Sequence, residues 1–446
     1  MKRILLLLLA VVMLIPSYTA QAHSVPSQIR VGLVERFSGR SSITLNNAAI
    51  QYGHASLQSA NGFTIRPYSS NQIAIYDGSQ RLRVLGSYTQ IRDAHGGMIS
   101  LEGVQYRGAV EFARLGGQSV TAVNVLSLEE YLFSVVPSEM PASWHPEALK
   151  AQAVAARTYA VHIMGRGSTH TGFDLCDLVC CQRYRGTEWE HEATTQAVLA
   201  TAGLVAYFNG APIEAVYFAS SGGVTENSEN VWTAAVSYLR SVPDPHEFEP
   251  VIWTRTFTLT EITNLLAQNN RSIGTATGMA IGGTHPSGRV ESLIIHGTAG
   301  QVVLTREEIR TFFARSTDGS LQSRNFTLGD GGGGSSGHTV SLDTVVVSDG
   351  RQSFDMPARG MYGVSANGNP VIMGVVNATD GRTTVTHGGA SAQHQPVSTS
   401  GDTIVITGRG FGHGVGMSQR GAEGMARRGY NFREILTHFY TGITIK

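Results

Sequence analysis

The sequence has little charge, and what charge it has is balanced. Charged residues make up 15% of 446 residues, and 33 Lys and Arg match 33 Asp and Glu. A chain without net charge lacks the electrostatic attraction that nucleic-acid-binding and membrane-surface proteins use, so the sequence predicts no nucleic-acid partner. Glycine is abundant, at 52 residues. Low charge with abundant glycine is typical of a β-rich, loop-rich protein that handles a largely uncharged substrate.

Long apolar runs are absent after the N-terminus. Residues 1–22 are typical of a secretory signal peptide, because two basic residues precede the apolar run Ile4–Ile15 and Ala20-Gln21-Ala22 fits a cleavage site. The run ends at Pro16 and is too short to span a bilayer comfortably. We therefore expect a secreted protein of the cell envelope with no transmembrane domain in the mature chain. An uncleaved signal that anchors the protein in the membrane is the alternative.

The periodicity of apolar residues predicts an α+β fold with several parts. Residues 23–121 show short alternating strands separated by turns, which predicts a β-rich N-terminal region. Residues 122–328 mix helices and strands around a short central helix pair. Residues 329–402 begin with a glycine-rich linker and continue as a small β-rich insertion, after which residues 403–446 complete the mixed domain.

The first helix of the central pair begins at a capping box. Ser127 and Glu130 have the required spacing, and Leu128–Val136 should form a helix that ends at Pro137. Two residues later Glu139 lies between two prolines in an apolar stretch. A poorly solvated carboxyl group has a raised pKa, and a proton held near the working pH is what a general acid needs. The alternative interpretation is a surface Glu in an ordinary loop.

The second helix should begin with Pro146 at its first position and end near Met164, before Gly165. It is rich in alanine, which favours close packing in a buried position. Lys150 and Arg157 lie on one side of it, since seven residues make almost two turns. Buried helices rarely carry cations without a partner or a task.

All three cysteines lie within six residues, close to a histidine. His170, Cys176, Cys180 and Cys181 offer four soft ligands for tetrahedral zinc. One disulfide with a free thiol, or three inert cysteines, are the alternatives. Adjacent cysteines such as Cys180 and Cys181 rarely pair with each other.

Two further stretches are candidates for ligand contact. After a predicted strand at Ile213–Phe218, the turn around Ser220 and Ser221 could present hydroxyl groups to sugar hydroxyls, or it could be an ordinary hairpin exit. Near the C-terminus, the glycines around His413 imply a close backbone approach to a ligand or to a neighbouring element.

Together these stretches resemble the stage II sporulation protein D (SpoIID) family. The resemblance covers roughly residues 120–328 and 403–446 and is carried by these segments: Leu128–Leu132 (LEEYL), Val136–Ala142 (VPSEMPA), Glu147–Ala160 (EALKAQAVAARTYA), Ser220–Thr225 (SSGGVT), Tyr238–Val242 (YLRSV) and Gly412–Gln419 (GHGVGMSQ). The long central motif is highly specific.

The resemblance implies a lytic transglycosylase that cleaves the glycan strands of peptidoglycan. Glu139 takes the position of the catalytic acid, which would protonate the bond between N-acetylmuramic acid and N-acetylglucosamine and then act as base to form a 1,6-anhydro sugar. Residues 122–328 and 403–446 would be the two parts of the catalytic domain. Lys150, Arg157, Thr225 and Tyr238 take family positions linked to activity or substrate handling. Further candidates for binding the substrate are Ser220, Ser221, His413 and Gln419.

The resemblance also implies a structural zinc. The family pattern His-x5-Cys-x3-His-Cys fits His170, Cys176 and Cys181, whereas Cys180 replaces the usual second His. A thiolate binds zinc as well as an imidazole does, so the substitution is compatible with the site. Some relatives enhance a separate cell-wall amidase, so a non-catalytic wall-binding protein is the main alternative function. A zinc hydrolase is a third, and it would need an open metal position.

Overall fold

The computed structural model describes residues 25–115, 117–330 and 402–446, together with the backbone of four short strands between 345 and 372. The predicted signal peptide and most of the predicted insertion lie outside these residues. The described chain mixes several sheets with a few helices, which confirms the predicted α+β fold class.

The N-terminal part is built from strands, as predicted. Their bounds are β1 (Gln28–Gly32), β2 (Ile43–Leu45), β3 (Ala49–Tyr52), β4 (Ala55–Gln58), β5 (Phe63–Ser69), β6 (Gln72–Asp77), β7 (Gln80–Gly86), β8 (Arg92–Asp93), β9 (Ile99–Leu101), β10 (Val104–Tyr106), β11 (Ala109–Ala113) and β12 (Thr121–Ser127). One short helix, α1 (Val34–Phe37), follows β1.

These strands form three sheets over one apolar core. A six-stranded sheet has the order β10-β9-β2-β5-β6-β7, and a three-stranded sheet has the order β4-β3-β8. The third sheet pairs β11, β12 and β1 antiparallel and adds β13 (Leu175–Cys176) parallel to β1. Strand β12 is buried at nearly every position, because helices cover it as well as strands, and it leads directly into the next helix.

That helix, α2 (Leu128–Glu139), begins with the predicted capping box of Ser127 and Glu130. The prediction that it ends at Pro137 is wrong, because the helix continues through the proline to Glu139. A proline removes one N–H bond and crowds the carbonyl four residues earlier, but here only two helical residues follow it. The turn is held by the Ser138 hydroxyl, which donates to the Ser134 carbonyl at 2.7 Å, and by the N–H of Met140.

The second helix, α3 (Pro146–Arg166), is the buried centre of the molecule, as its alanine content predicts. It begins at Pro146 as expected but continues through Gly165 to Arg166, where Gly167 with φ of 88° ends it. One side packs into the N-terminal core, and the other packs into a second core with the C-terminal helices α8 (Gln419–Ala426) and α9 (Phe432–Phe439).

The chain between these helices forms short elements: α4 (Glu192–Ala200), β14 (Ala206–Phe208), β15 (Ala211–Pro212), β16 (Tyr217–Phe218) and α5 (Ser228–Val231). The predicted continuous strand at Ile213–Phe218 is wrong. The strand that pairs with β14 here is Ala211–Pro212, whereas β16 pairs parallel with β27 (Met417–Ser418). The last strand, β28 (Thr444–Ile445), also pairs with β14.

A third core lies under the elements that follow. These are β17 (Ile252–Thr258), α6 (Leu259–Gln268), β18 (Ala276–Thr284), β19 (Val290–Gly297), β20 (Gly300–Thr305), α7 (Glu308–Thr311), a 3-10 helix (Phe312–Arg315), β21 (Phe326–Asp330) and β26 (Thr403–Arg409). Strand β26 pairs antiparallel with both β17 and β21, and Asp330 faces Ile404 in the register. The chain between β21 and β26 therefore leaves and re-enters at neighbouring positions of one sheet.

Within that segment the described backbone forms two antiparallel pairs. One joins β22 (Val345–Ser348) to β23 (Ser353–Met356), and the other joins β24 (Tyr362–Val364) to β25 (Pro370–Ile372). Across the described residues, none of the helices has the length and hydropathy needed to cross a bilayer.

Candidate active site at the end of helix α2

Glu139 is the last residue of α2 and points its carboxyl group into a partly buried position. The backbone N–H of Arg183 donates to Oε1 of Glu139 at 3.0 Å. Burial raises the pKa of Glu139 above its ordinary value, while the Arg183 N–H and the charge of Arg183 act in the opposite direction. Burial prevails because it penalises the charged form more than one hydrogen bond stabilises it.

The C-terminal motif supports the backbone of the same residue. The side-chain amide of Gln419 donates to the carbonyl oxygen of Glu139 at 3.1 Å and lies 3.4 Å from Oε1 of Gln152. Gln419 is the first residue of α8, and Gln152 lies on α3. Three helices therefore meet at the backbone of the candidate acid.

A buried polar network lies beside the carboxyl group. The amide of Gln182 accepts a hydrogen bond from the Tyr131 hydroxyl at 3.1 Å, and its nitrogen lies 3.0 Å from the Tyr217 hydroxyl. Burial is the main cause that raises the pKa of Tyr217, and the nearby charge of Glu139 raises it further. Both phenols therefore stay neutral hydrogen-bonding groups next to Glu139.

The histidine and cysteines approach one another just before this network. His170 Nε2 lies 3.1 Å from Cys181 Sγ, and Cys176 Sγ lies 3.2 Å from Cys180 Sγ. Ligand atoms of His170, Cys176 and Cys181 all lie within 4.8 Å of one another. The three thiols are free in the structure. One nitrogen and two sulfurs at this separation, with a third sulfur beside Cys176, fit the donor set of a tetrahedral zinc ion.

The positions of the ligands depend on the first strand. Cys176 lies on β13, opposite Gly32 of β1. Phe173 stacks on the ring of His170, with 5.0 Å between the ring centres. A Cβ atom at Gly32 would lie 2.6 Å from Phe173, so glycine is required there for the ring to hold His170 in place.

The two cations of α3 are both paired with carboxylates. Arg157 is fully buried, donates to both carboxylate oxygens of Glu129 at 2.8 and 2.6 Å, and also reaches two backbone carbonyls near α4. Lys150 lies 2.7 Å from Glu147 and is about one-quarter exposed. Arg157, for which a substrate role is predicted, is therefore buried, and its contacts join α2 to α3. Lys150 is accessible to a ligand.

The hydroxyl groups of the SSGGVT turn face inward. The Ser220 hydroxyl donates to Glu247 at 2.6 Å, and the Ser221 hydroxyl donates to Asp244 at 2.7 Å. Thr225 is fully buried, with its hydroxyl near the carbonyl groups of residues 240 and 242. In this structure these hydroxyls hold the turn together, and none of the three is presented at the surface.

His413 contacts the backbone of Tyr217, whose hydroxyl lies beside Gln182. Its Nδ1 accepts the Val415 N–H at 3.1 Å, so Nε2 carries the hydrogen and donates to the Tyr217 carbonyl at 3.1 Å. Burial lowers the pKa of His413 to about 3, which keeps the ring neutral. The ring of Trp232, 37% exposed, lies 5.3 Å from that of His413.

Tyr238 packs against the ring of Phe208 at 5.5 Å, and its hydroxyl accepts the Glu214 N–H at 3.0 Å. It belongs to the second core, so its described contacts position the chain around β14.

Comparison with known proteins decides the family. The family model of Stage II sporulation protein matches residues 116–208. Stage II sporulation protein D of Bacillus subtilis is 31% identical over 73% of this chain and 76% of its own length. The protein of the same name from Bacillus amyloliquefaciens is 31% identical over 73% of this chain and 75% of its length. The chain belongs to the SpoIID family.

Two other matches extend this result. The amidase enhancer of Bacillus subtilis is 30% identical over 78% of this chain, which corresponds to 45% of that larger protein. A second model, for a domain of unknown function, matches residues 246–339. The SpoIID match contains Glu139 and the cysteine segment, whereas the second match begins before β17 and contains β18 to β21.

Sequence reasoning missed the residues that connect these parts of the SpoIID domain. Gln182 and Arg183 follow directly after Cys181 and reach α2 and α3. Glu423, fully buried on α8, accepts the N–H of His145 just before α3 begins. In the sequence, only the position of Gln182 directly after the cysteines pointed to it. Residue spacing could not predict its partners Tyr131, Ala156 and Tyr217.

Proposed function

We propose that this SpoIID protein is a peptidoglycan lytic transglycosylase in which Glu139 acts first as acid and then as base. The observation that carries the proposal is the half-buried Glu139 carboxyl group, whose pKa is raised and whose Oε1 is held by the Arg183 N–H. That bond leaves Oε2 to carry the proton that a general acid delivers.

In the first step Oε2 of Glu139 protonates the glycosidic oxygen between N-acetylmuramic acid and N-acetylglucosamine. The bond from C1 to that oxygen breaks, and positive charge develops on the muramic acid ring. The carboxylate formed at Glu139 lies beside this charge and stabilises it in a site where burial strengthens electrostatic interactions.

In the second step the carboxylate removes the proton of the C6 hydroxyl, and O6 bonds to C1 of the same sugar. The product is a 1,6-anhydro sugar, no water is consumed, and Glu139 regains its proton. The Arg183 N–H stabilises the carboxylate between the steps, so it sets how strongly the acid holds its proton. Lys150, which is about one-quarter exposed, and Trp232, whose ring lies beside His413, are accessible and fit roles in binding the glycan.

We also propose that the zinc implied by the resemblance is a structural ion. His170, Cys176, Cys180 and Cys181 would hold it, and with four protein ligands it would stabilise the loop without activating water. We further propose that the chain is secreted into the cell envelope, where its substrate lies. N-terminal sequencing of the protein from the envelope fraction distinguishes a cleaved signal from an uncleaved anchor.

The decisive experiment incubates purified protein with denuded glycan strands and identifies products by mass spectrometry. Wild type should release anhydro-muropeptides, and Glu139→Gln should lower the rate by about 10²-fold or more, since it removes the transferable proton. Glu291→Gln, an exposed carboxylate on β19, is the matched control and should keep full activity. Unchanged activity in Glu139→Gln would refute the mechanism.

A non-catalytic role is the second candidate, and the relative named amidase enhancer favours it. It predicts that wild type retains glycan strands without releasing anhydro products and stimulates a cell-wall amidase added to the same reaction. In that case Glu139→Gln would stimulate the amidase as well as wild type does.

A further inference from the structure

One face of the N-terminal six-stranded sheet carries two arginines stacked on two tyrosines. The guanidinium of Arg66 lies 4.8 Å from the ring centre of Tyr76, and that of Arg81 lies 4.9 Å from the ring centre of Tyr68. Arg66, Tyr68, Tyr76 and Arg81 are called the Arg–Tyr face below. They lie on β5, β6 and β7, and β7 is the edge strand of the sheet.

The strand register places these side chains on the solvent side. Thr64 pairs with Tyr76, and Tyr76 pairs with Arg81. Arg66 follows Thr64 by two residues, so alternation directs it to the same side. Tyr68 lies at a β-bulge, and its contact with Arg81 shows that it shares this side. Tyr68 is 48% exposed, whereas the intervening Ile65 is fully buried on the opposite side.

Among the described residues, the two arginines lack the carboxylate partner that several other arginines of the N-terminal part have. Four arginines of the N-terminal part form ion pairs, which are Arg30–Glu111, Arg36–Glu188, Arg40–Glu102 and Arg107–Glu190. Over the described ranges, the side chains of Arg66 and Arg81 have neither an ion pair nor a hydrogen bond. Their N–H donors therefore face solvent while the tyrosine rings hold the guanidinium planes in place.

We propose that the Arg–Tyr face binds a polysaccharide that carries carboxylate groups. A guanidinium plane matches the two oxygens of a carboxylate, and tyrosine rings offer flat apolar surfaces against which sugar rings pack. The proposal does not depend on Glu139, which lies at the end of α2 and outside this sheet.

The charge of the face favours a glycan over a nucleic acid. Nucleic-acid binding draws most of its affinity from many phosphate contacts, and the chain has no net charge to supply them. Two guanidinium groups next to two aromatic rings suit a ligand with widely spaced charges and sugar surfaces between them.

The test measures binding of hyaluronan oligosaccharides to the full-length protein by calorimetry at low salt. Hyaluronan alternates N-acetylglucosamine with glucuronate and is the carboxylated probe. Chitooligosaccharides supply the same amino sugar without charge, and polyglutamate supplies carboxylates without sugar. Wild type should bind hyaluronan and should bind each of the other two probes at least about tenfold more weakly.

The variants test whether binding depends on the Arg–Tyr face or on positive charge in general. Arg66→Gln with Arg81→Gln should weaken hyaluronan binding by about tenfold or more, because charge-assisted hydrogen bonds are lost. Arg83→Gln is the matched control. Arg83 lies on β7 like Arg81, but its partner in the register is the buried Ile75, and its guanidinium lies 6.0 Å from the ring centre of Tyr52, outside the Arg–Tyr face. This control should bind within about twofold of wild type.

Three results would overturn the proposal. Wild type could fail to bind hyaluronan, Arg83→Gln could lose as much affinity as the double variant, or polyglutamate could bind as well as hyaluronan. A thermal unfolding curve of each variant establishes that any loss of binding comes from a folded protein, and Tyr68→Leu, which should also weaken binding, tests the face without altering charge.

Discussion

The backbone N–H of Arg183 donates to Oε1 of Glu139, a residue 44 positions earlier in the chain. This bond links the last turn of α2 to the segment that follows the cysteines. The bond lowers the pKa of the Glu139 carboxyl group, whereas burial raises the same pKa. The acidity of Glu139 therefore reflects two opposed contributions, and each can be altered by a separate change in the protein.

The first prediction concerns the pH dependence of glycan cleavage. Glu139 must be protonated to act as acid, so the rate should fall as pH rises through its raised pKa. The Arg183 charge lowers that pKa. Arg183→Ala keeps the N–H but removes the charge, so the falling limb should move to higher pH. Rates of anhydro-product release across pH 4 to about 9 measure the shift.

Arg271→Ala serves as the control, because Arg271 pairs with Glu308 on the surface of another part of the chain. Its pH profile should coincide with that of wild type. A limb that stays in place in Arg183→Ala, or that moves equally in both variants, would contradict the assigned link between Arg183 and Glu139.

The second prediction concerns metal removal. Cys181, Gln182 and Arg183 are consecutive, so a metal held at Cys181 would fix the amide that contacts Tyr131 and the N–H that contacts Glu139. Cys181→Ser should lose the metal, lower the melting temperature by roughly 10 °C and reduce cleavage. Elemental analysis, thermal unfolding and the near-ultraviolet circular dichroism of the buried tyrosines measure these effects.

Cys180→Ser provides a graded comparison, because Cys180 is exposed and lies outside the tightest group of three ligands. It should weaken metal binding without abolishing it. If chelated wild type kept its melting temperature and its near-ultraviolet spectrum, the metal would have no structural role.

Local patterns were enough to predict part of this architecture. The capping box of Ser127 and Glu130, the alanine-rich helix after Pro146 and the strand alternation before residue 121 are each determined over a few residues, and the structure confirms them. The raised pKa of Glu139 also followed from its apolar neighbours. Pro137 was misjudged because a proline in a last helical turn removes so little bonding that the helix continues.

The remaining relationships are long-range and have no sequence period. Gln419 reaches the carbonyl of Glu139 across 280 residues. The direction of the Ser220 hydroxyl depends on Glu247, a partner that no spacing rule could identify from the turn itself. Helical periodicity placed Lys150 and Arg157 on one side of α3, but it could not show that Glu129 of α2 would form an ion pair with Arg157.

The third prediction concerns that ion pair. Arg157→Met should destabilise the fold by about 3 kcal/mol or more, because it removes the buried cation that pairs with Glu129 and also donates to two carbonyl groups. Replacing Glu129 by Met as well should recover part of the loss, since two apolar side chains can pack together. Urea unfolding of the two single variants and the double variant gives the coupling energy.

Lys150→Met is the comparison for an accessible pair, where the expected change is about 1 kcal/mol or less. A stable Arg157→Met protein that has lost glycan binding would instead favour the substrate role that the resemblance implies for Arg157.

The fourth prediction concerns a buried carboxyl group beneath the SSGGVT turn. Asp244 is 2% exposed and accepts the Ser221 hydroxyl, while its Oδ1 has no hydrogen-bond partner among the described residues. Burial, together with the nearby Glu247, raises the pKa of Asp244 to about 7. The folded protein therefore binds a proton that the unfolded chain releases near pH 4, so stability should fall as pH rises from about 4 to 7.

Asp244→Asn keeps the size and the acceptor for Ser221 but cannot ionise. Wild type should lose roughly 2 to 4 kcal/mol of stability between pH 5 and 8, and Asp244→Asn should remove most of that loss. The exposed Asp402→Asn is the control and should follow wild type at every pH. Urea midpoints at each pH supply the measurement. Parallel pH profiles for wild type and Asp244→Asn would mean that Asp244 is already ionised in the folded protein, with a cation or water satisfying its free oxygen.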